Sequence, residues 1–256
     1  MADAARVRDI VDLAPRWTGA DAIRLNQMFR GRDSAEMLHA VFADDMLGPT
    51  ALVSSFGAES AVLLHLVGSI RADVPVIFLD TGKHFAETIA YRDALARQIG
   101  LTNIINVTPD AQEIAARDAN GLRWSYDPDG CCALRKVAPL AGALLPFDAH
   151  ISGRKAFQSA SRANLPRFEV DGDGRMKVNP LVDWDKAALD AYVAAHALPP
   201  HPLVAQGYLS IGCAPCTSIV KPGEDPRSGR WAGWDKVECG IHTPTDGDDG
   251  TNDPVF

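Results

Sequence analysis

Nowhere in the chain do apolar residues run on for the roughly 20 positions that a membrane-spanning helix needs, so no membrane span is expected. Met1 to Asp12 lacks a basic head followed by an apolar run, so no export signal is expected and the cytoplasm is the expected location. Positive charge is short as well: 25 Lys and Arg stand against 33 Asp and Glu, a net charge of −8. That balance argues against a nucleic-acid partner. It leaves room for a small anion, because basic residues gather locally at Arg135-Lys136, Arg154-Lys155 and Arg227 with Arg230. Cysteine is scarce, five in 256 residues. In a reducing compartment those thiols point to metal binding or catalysis rather than to disulfides.

What is present is an alternation of short β-branched runs with helical patterns. Two amphipathic stretches, Ala20 to Arg30 and Ser34 to Leu47, read as packing helices, with Ser34 as N-cap of the second. Strands are expected at Ala51–Ser54, Val74–Leu79, Asn103–Val107 and Ala149–Ser152. Helices are expected at about Ser60–Ile70, His84–Ile99, Ala111–Ala119, Cys132–Leu145 (bent or split by Pro139) and Asp185–Ala197. Phe168–Val170 and Met176–Val178 read as a hairpin. Such alternation predicts an α/β fold with a parallel sheet, whose ligands bind at the C-terminal ends of the strands. With no internal repeat and no clear linker, one domain over 1–256 is expected: packing helices at 20–47, a core at 50–220, and a mobile segment at 221–256.

Two loops fall at neighbouring strand ends. Ser54-Ser55-Phe56-Gly57-Ala58-Glu59-Ser60 leads directly into a helix, offering backbone N–H groups and a favourable dipole to an anion. Leu79-Asp80-Thr81-Gly82-Lys83-His84 follows the second strand. Neither has the glycine set and lysine of a P-loop, so triphosphate hydrolysis is not expected. Together they suggest a shared nucleotide pocket.

The cysteines divide into Cys131-Cys132, the turn Cys213-Ala214-Pro215-Cys216, and Cys239. Four thiols suit zinc or an iron–sulfur cluster. Adjacent side chains reach two vertices of one small tetrahedron poorly but can reach two irons of a cubane, which favours [4Fe–4S] and leaves zinc open. Cys239 is left over, beside His242 and downstream of Arg227, Arg230 and Lys236. Cations favour the thiolate and hence a nucleophile.

Several motifs then coincide. Ser54–Ser60, Leu79–Phe85, Cys131-Cys132-Ala133-Leu134-Arg135-Lys136, Gly153-Arg154, Gln158-Ser159 and Lys177–Leu181 run in order along the chain. Gly207–Thr217, Gly229-Arg230-Trp231 and Glu238-Cys239-Gly240-Ile241-His242 follow them. The chain resembles the bacterial assimilatory adenylylsulfate (APS) reductases, within the APS and phosphoadenylylsulfate (PAPS) reductase family. Departures are Val237, His201-Pro202-Leu203 and the stretch Trp231–Asp235. The resemblance implies a modified ATP-pyrophosphatase-like (adenine nucleotide alpha hydrolase-like) fold and a [4Fe–4S] cluster on Cys131, Cys132, Cys213 and Cys216. It implies substrate contacts from Ser54, Ser55, Phe56, Gly57 and Ser60, and from Leu79, Asp80, Thr81 and Gly82. Arg154, Arg227 and Arg230 would join them, with Cys239 as nucleophile and Lys136 and His242 as further catalytic groups.

Thiol arithmetic completes the expectation. If Cys239 attacks the sulfur of adenosine 5′-phosphosulfate and AMP leaves, the sulfo group stays on the enzyme. With four cysteines on a cluster no resolving thiol remains, so an external dithiol, thioredoxin or glutaredoxin by resemblance, is required. The tail must then expose Cys239 after shielding it. The alternatives are PAPS reduction, which the four additional cysteines argue against, and a non-catalytic iron–sulfur or zinc redox sensor, which leaves the Glu238–His242 motif without a purpose. An ATP-dependent thiolase acting on RNA is weaker still. Homo-oligomer formation stays open.

Overall fold

A computed structural model describes residues 16–236 and 238–242. Its helices and strands, in chain order, begin with α1 (Gly19–Met28), α2 (Ser34–Phe42), β1 (Thr50–Val53), α3 (Ser60–Ile70), β2 (Val76–Leu79), α4 (Ala86–Ile99) and β3 (Ile104–Val107). Then come α5 (Ala111–Arg117), α6 (Pro128–Cys132), α7 (Ala138–Leu144), β4 (Ala149–Ser152), β5 (Phe168–Val170), β6 (Met176–Val178) and α8 (Lys186–Ala195). The strands form one sheet in the order β3-β2-β1-β4-β6-β5. All neighbours are parallel except β5, which pairs antiparallel with β6 as the edge of the expected hairpin. The expected parallel-sheet α/β fold is what the chain adopts.

The order places the site. From β1 the chain moves outward to β2 and β3, then returns to lay β4 on the other side of β1. The crevice between the C-terminal ends of β1 and β4 is therefore the switch point, where loops diverge and leave room for a ligand. The loop from Ser54 leaves β1 there, and Gly153-Arg154-Lys155 leaves β4.

Period-two alternation sorts the strand residues between two layers. Leu52, Val76 and Phe78 join the larger core with α1, α2, α3 and α8, whereas Ala51, Ile77 and Leu79 face Leu140 and Leu144 of α7. In α3, Ala61, Val62, Leu63, Leu64, Leu66 and Val67 are all buried. A helix apolar on nearly all sides belongs inside, and it packs between α2, α4 and α8. Leu64 is wholly enclosed; truncation to alanine there costs about 2–5 kcal/mol.

Three expectations are corrected. The cap of α2 is Asp33, whose carboxylate accepts from Glu36 N while Glu36 answers at the Asp33 amide. Ser34 instead lies buried, donating to Pro180 O at 2.6 Å and accepting from Trp184 Nε1 at 2.8 Å. Second, α2 ends at Phe42, not Leu47: two acidic residues, Asp44 and Asp45, oppose the helix dipole there. Asp45 turns left-handed at φ 50°, and Leu47 re-enters the core. Third, the helix expected over Cys132–Leu145, to be bent or split by Pro139, starts earlier, at Pro128, and is interrupted ahead of the proline: α6, a π-helical turn at Ala133–Val137, and α7. Pro139 has no N–H for the Arg135 carbonyl and its ring would clash with it, so the turn before it widens.

Candidate active site

The widened turn is where the chemistry begins. Asp127 caps α6 by accepting from Gly130 N at 2.7 Å, and Pro128 occupies its first turn. That short helix delivers Cys131 and Cys132, and the π-helical turn then presents Arg135 and Lys136. The second pair arrives from the far end of the chain. Ala214 N donates to Lys83 O at 2.7 Å, and a bridge joins His84 to Cys213, so the turn carrying Cys213 and Cys216 is fastened to the β2 loop. All four thiols, free of disulfides, line one recess together with Lys83, Trp124, Arg135, Lys136 and Trp231. Among the described residues, no three His, Cys, Asp or Glu are grouped closely enough to hold a single metal ion.

Charge around the recess is arranged by pairing. Arg135 is buried and spent on Asp118, at 2.6 and 3.1 Å, and on Thr81 O at 2.8 Å. Thr81, itself buried, reaches Cys213 Sγ with its hydroxyl at 3.3 Å. Burial works against the charge on Lys136, but Cys213, Cys239 and Cys132 outweigh it and hold its pKa above the ordinary lysine value. Burial pushes the Cys131 and Cys216 thiols up when no metal is bound.

Cys239 comes to the same place. Its thiol shares a hydrogen bond with Cys132, which lowers its pKa well below the ordinary thiol value; Lys136, the Ile241 amide and Arg230 add to this against the cost of burial. A Cys132 committed to a metal has no proton to give, and the thiolate then rests on Lys136, Arg230 and the amide alone. The described part of the 221–242 segment is docked. Ser218 N donates to Gly229 O at 2.7 Å, Trp231 N to Cys216 O at 3.1 Å, and Lys236 pairs with Asp129. Trp231, buried at a left-handed φ of 50°, gathers three cations around its ring: Arg230 at 4.4 Å, Lys236 at 5.6 Å and Arg227 at 5.9 Å. The side chain of His242 lies outside the described residues, as do Val237, the N-terminal stretch and the acidic end over 243–256.

The two expected loops sit side by side, because β1 and β2 pair in parallel. Their side chains divide. Phe56 is wholly buried at φ 48°, edge-on to Phe78 at 5.8 Å, so this loop presents backbone rather than an aromatic ring. Gly57 runs so close to the Gly207–Thr217 segment that a Cβ there would meet Ile211 O at 3.0 Å. Glu59 makes no side-chain cap on α3; its carboxylate pairs instead with Lys155 and Gln158. Leu79 belongs to the smaller core, and Thr81 serves the cysteine recess. Asp80 spends a carboxylate oxygen on Gly82 N at 3.0 Å.

Arg154 is buried at the end of β4 against Ser152 and Asn179 and is paired with Glu169. Burial, then Arg162, lowers its pKa to about 10. Burial, then Arg154, lowers Lys177 to about 7. Arg227 and Arg162 both engage Glu238, the residue before Cys239. Of the three basic clusters of the sequence, Lys136 and Arg230 bear on the thiol and Arg227 reaches its neighbour Glu238, while Arg135, Arg154 and Lys155 are paired with Asp118, Glu169 and Glu59. Sequence reasoning missed Arg162, Asp118 and the Glu59–Gln158 contact, all pairings across long sequence separations. His201 was noted only as a departure; it is buried and caps the turn at Pro202–Gln206 by accepting from Leu203 N at 3.2 Å.

A recess of four cysteines beside a fifth thiol, fastened to a strand-end loop of an α/β sheet and with Lys136 and Arg230 acting on that thiol, defines a thiol-based site. The chain belongs to the phosphoadenosine phosphosulfate reductase domain family, whose model matches residues 49–219, as the motifs implied. It is similar to the adenosine 5′-phosphosulfate reductase of Chelativorans sp., 55% identical over 77% of this chain and 80% of that protein. It is also similar to that of Mesorhizobium japonicum, 56% identical over 75% of each. Among solved structures, the phosphoadenylyl-sulfate reductase of Candida auris in a phosphate complex superposes with a TM-score of 0.65 at 28% identity, covering 79% of this chain and 98% of that one. The fold is of the expected adenine nucleotide alpha hydrolase-like type.

Proposed function

We propose that the protein reduces adenosine 5′-phosphosulfate to sulfite and AMP at Cys239, using electrons from an external dithiol of the thioredoxin or glutaredoxin kind. The observation that carries the reading is the Cys239 thiol held beside Lys136 and Arg230 at the strand-end crevice. Relatives more than 50% identical that are named for this substrate support APS over its 3′-phosphorylated form.

The Ser54–Ser60 loop and the uncapped start of α3 hold the nucleotide's phosphate, and Arg154, Arg227 and Arg230 surround the sulfate end. The thiolate sulfur of Cys239 attacks the sulfate sulfur. An S–S bond forms, the S–O bond to the phosphate breaks, and its electron pair leaves on AMP. Lys136 and Arg230 neutralise the charge that develops on the oxygen being released. A thiolate of the external dithiol then attacks Cys239 Sγ, and sulfite departs with the electron pair of the S–S bond. The second thiol of that dithiol closes its disulfide and returns Cys239 as thiolate. Two electrons pass from dithiol to sulfur.

Four thiols lining one recess are a donor set suited to an iron–sulfur cluster, and Cys131, Cys132, Cys213 and Cys216 would hold a [4Fe–4S] cluster there, with Lys136 and Trp231 in the same lining. Bound there, a cluster supplies an anionic counterweight to Lys136 and ties α6 to the Cys213–Cys216 turn.

The test is a turnover of APS without any external thiol. One AMP per chain should appear, no free sulfite, and Cys239 should gain the mass of a sulfo group. Adding thioredoxin should then release sulfite. A Cys239→Ser protein that still forms sulfite at the normal rate sinks the nucleophile assignment, and faster turnover of PAPS than of APS overturns the substrate.

A further inference from the structure

A chain of polar contacts that ends on Cys239 starts far away in sequence. Glu59, directly after the β1 loop, receives the Lys155 ammonium at 3.2 Å and the Gln158 amide at 2.9 Å. Gln158 Oε1 accepts in turn from Arg162 Nη1. Arg162 gives its remaining donors to Glu238, Nε to Oε2 at 2.7 Å and Nη2 to Oε1 at 2.8 Å. Glu238 Oε1 then accepts the backbone N–H of Cys239 at 3.0 Å, with Arg227 Nη2 at 3.5 Å from the same oxygen.

The geometry constrains more than distance. A two-point guanidinium–carboxylate pairing fixes the plane of the carboxylate as well as its position. Both side chains are largely enclosed, 8% and 13% exposed, so the pair is little screened by solvent. Because Glu238 and Cys239 are neighbours, a carboxylate clamped on one side and bonded to the next amide on the other closes a small ring. That ring sets the direction in which the Cys239 side chain leaves the backbone. By contrast, the Lys236–Asp129 pair upstream leaves Asp129 78% exposed, and such pairs hold little.

We propose that Arg162 is a positioning residue for the nucleophile. Through Glu238 it locks Cys239 against the core, and through Gln158 and Glu59 it joins that lock to the loop that takes the nucleotide. The inference rests on reading Cys239 as the nucleophile. It carries a consequence of opposite signs: breaking the lock slows sulfo transfer, which needs a held thiol, and hastens access to Cys239, which needs a released one. Loss of a purely structural contact would not separate the two.

The test uses the full chain purified anaerobically, as Arg162→Met, Arg162→Lys and Glu238→Gln variants. In the first measurement no nucleotide is present, and alkylation of Cys239 by iodoacetamide is followed by peptide mass spectrometry. Arg162→Met and Glu238→Gln should react about tenfold faster, the scale of one charge-assisted hydrogen bond. Arg162→Lys should fall between, since an ammonium cannot span both oxygens. In the second, AMP release from APS in a single turnover should slow about a hundredfold, the effect of a misplaced reacting group, while half-saturation changes little. The double variant should be no slower than the slower single one, because both remove the same contact. Glu238→Gln preserves shape and the acceptor for Cys239 N, and it judges the proposal even if Arg162→Met does not fold. Unchanged alkylation and unchanged AMP release in that variant overturn the lock. A wild-type protein that releases no AMP sinks the functional reading instead, and the alkylation arm still judges the lock by itself.

Discussion

His150 shows how far placement outweighs residue type. On β4 it is enclosed, and burial, followed by the charges of Lys177, Arg175 and Arg154, lowers its pKa to about 3. In the unfolded chain it takes up a proton near the ordinary histidine value, so between those limits only the unfolded state is protonated. The stability contributed by neutral His150 is therefore complete above about pH 6.5 and is lost as pH falls toward 3. From pH 7 to pH 5 the wild type should lose about 2 kcal/mol more than a His150→Gln variant, read from urea midpoints at the two values. Equal losses would mean that His150 is protonated in the folded protein. Cys239 illustrates the complementary point. A leftover thiol beside a histidine and upstream cations was legible in the sequence as set apart from the other four cysteines. That Cys132, Lys136 and Arg230 are the groups facing it was not, because they arrive from two separate segments.

At the scale of elements, the positions of loops were readable and their fastenings were not. Helix α3 falls on the expected span because its apolar run and the glycine-containing loop before it are local signals. The break at Ala133–Val137 needed knowledge of how Pro139 would be accommodated, by bending or by widening one turn. The loop carrying Gly212 offers a test of fastening. A Cβ there would lie 2.3 Å from Arg230 Nη2 and 2.6 Å from its Cζ, and the far end of a long side chain yields more readily than backbone. Gly212→Ala should therefore move Arg230 away and leave the fold in place. Sulfite formation should fall by about ten- to a hundredfold, with a melting temperature close to wild type. A large drop in melting temperature with AMP release unimpaired would contradict this account.

Across the whole molecule, the sheet order decides what meets. Returning from β3 to lay β4 beside β1 brings Arg154 to the same crevice as the Ser54 loop. The last described segment then crosses that crevice to seat Cys239 against the thiol recess. The recess leads to a measurable expectation: protein purified anaerobically should carry about four irons and four sulfides per chain, the content of one [4Fe–4S] cluster. Removing them with a chelator should lower the melting temperature, since a cluster held by these thiols would join α6 to the Cys213–Cys216 turn. One zinc and no sulfide would overturn the assignment. No described helix is long and apolar enough to cross a membrane.

The sequence by itself determined the alternation of strands and helices, the family, and the grouping of four cysteines apart from the fifth. Each of these is written in local periodicity or in short contiguous motifs. Only the tertiary structure decided which charges are spent and which are left. Arg135 is consumed by Asp118, 17 positions away, while Arg162 reaches 76 positions along the chain to Glu238 and holds the neighbour of Cys239. Buried ions must find partners wherever folding brings them, and the cost of leaving one unpaired acts in space rather than along the chain.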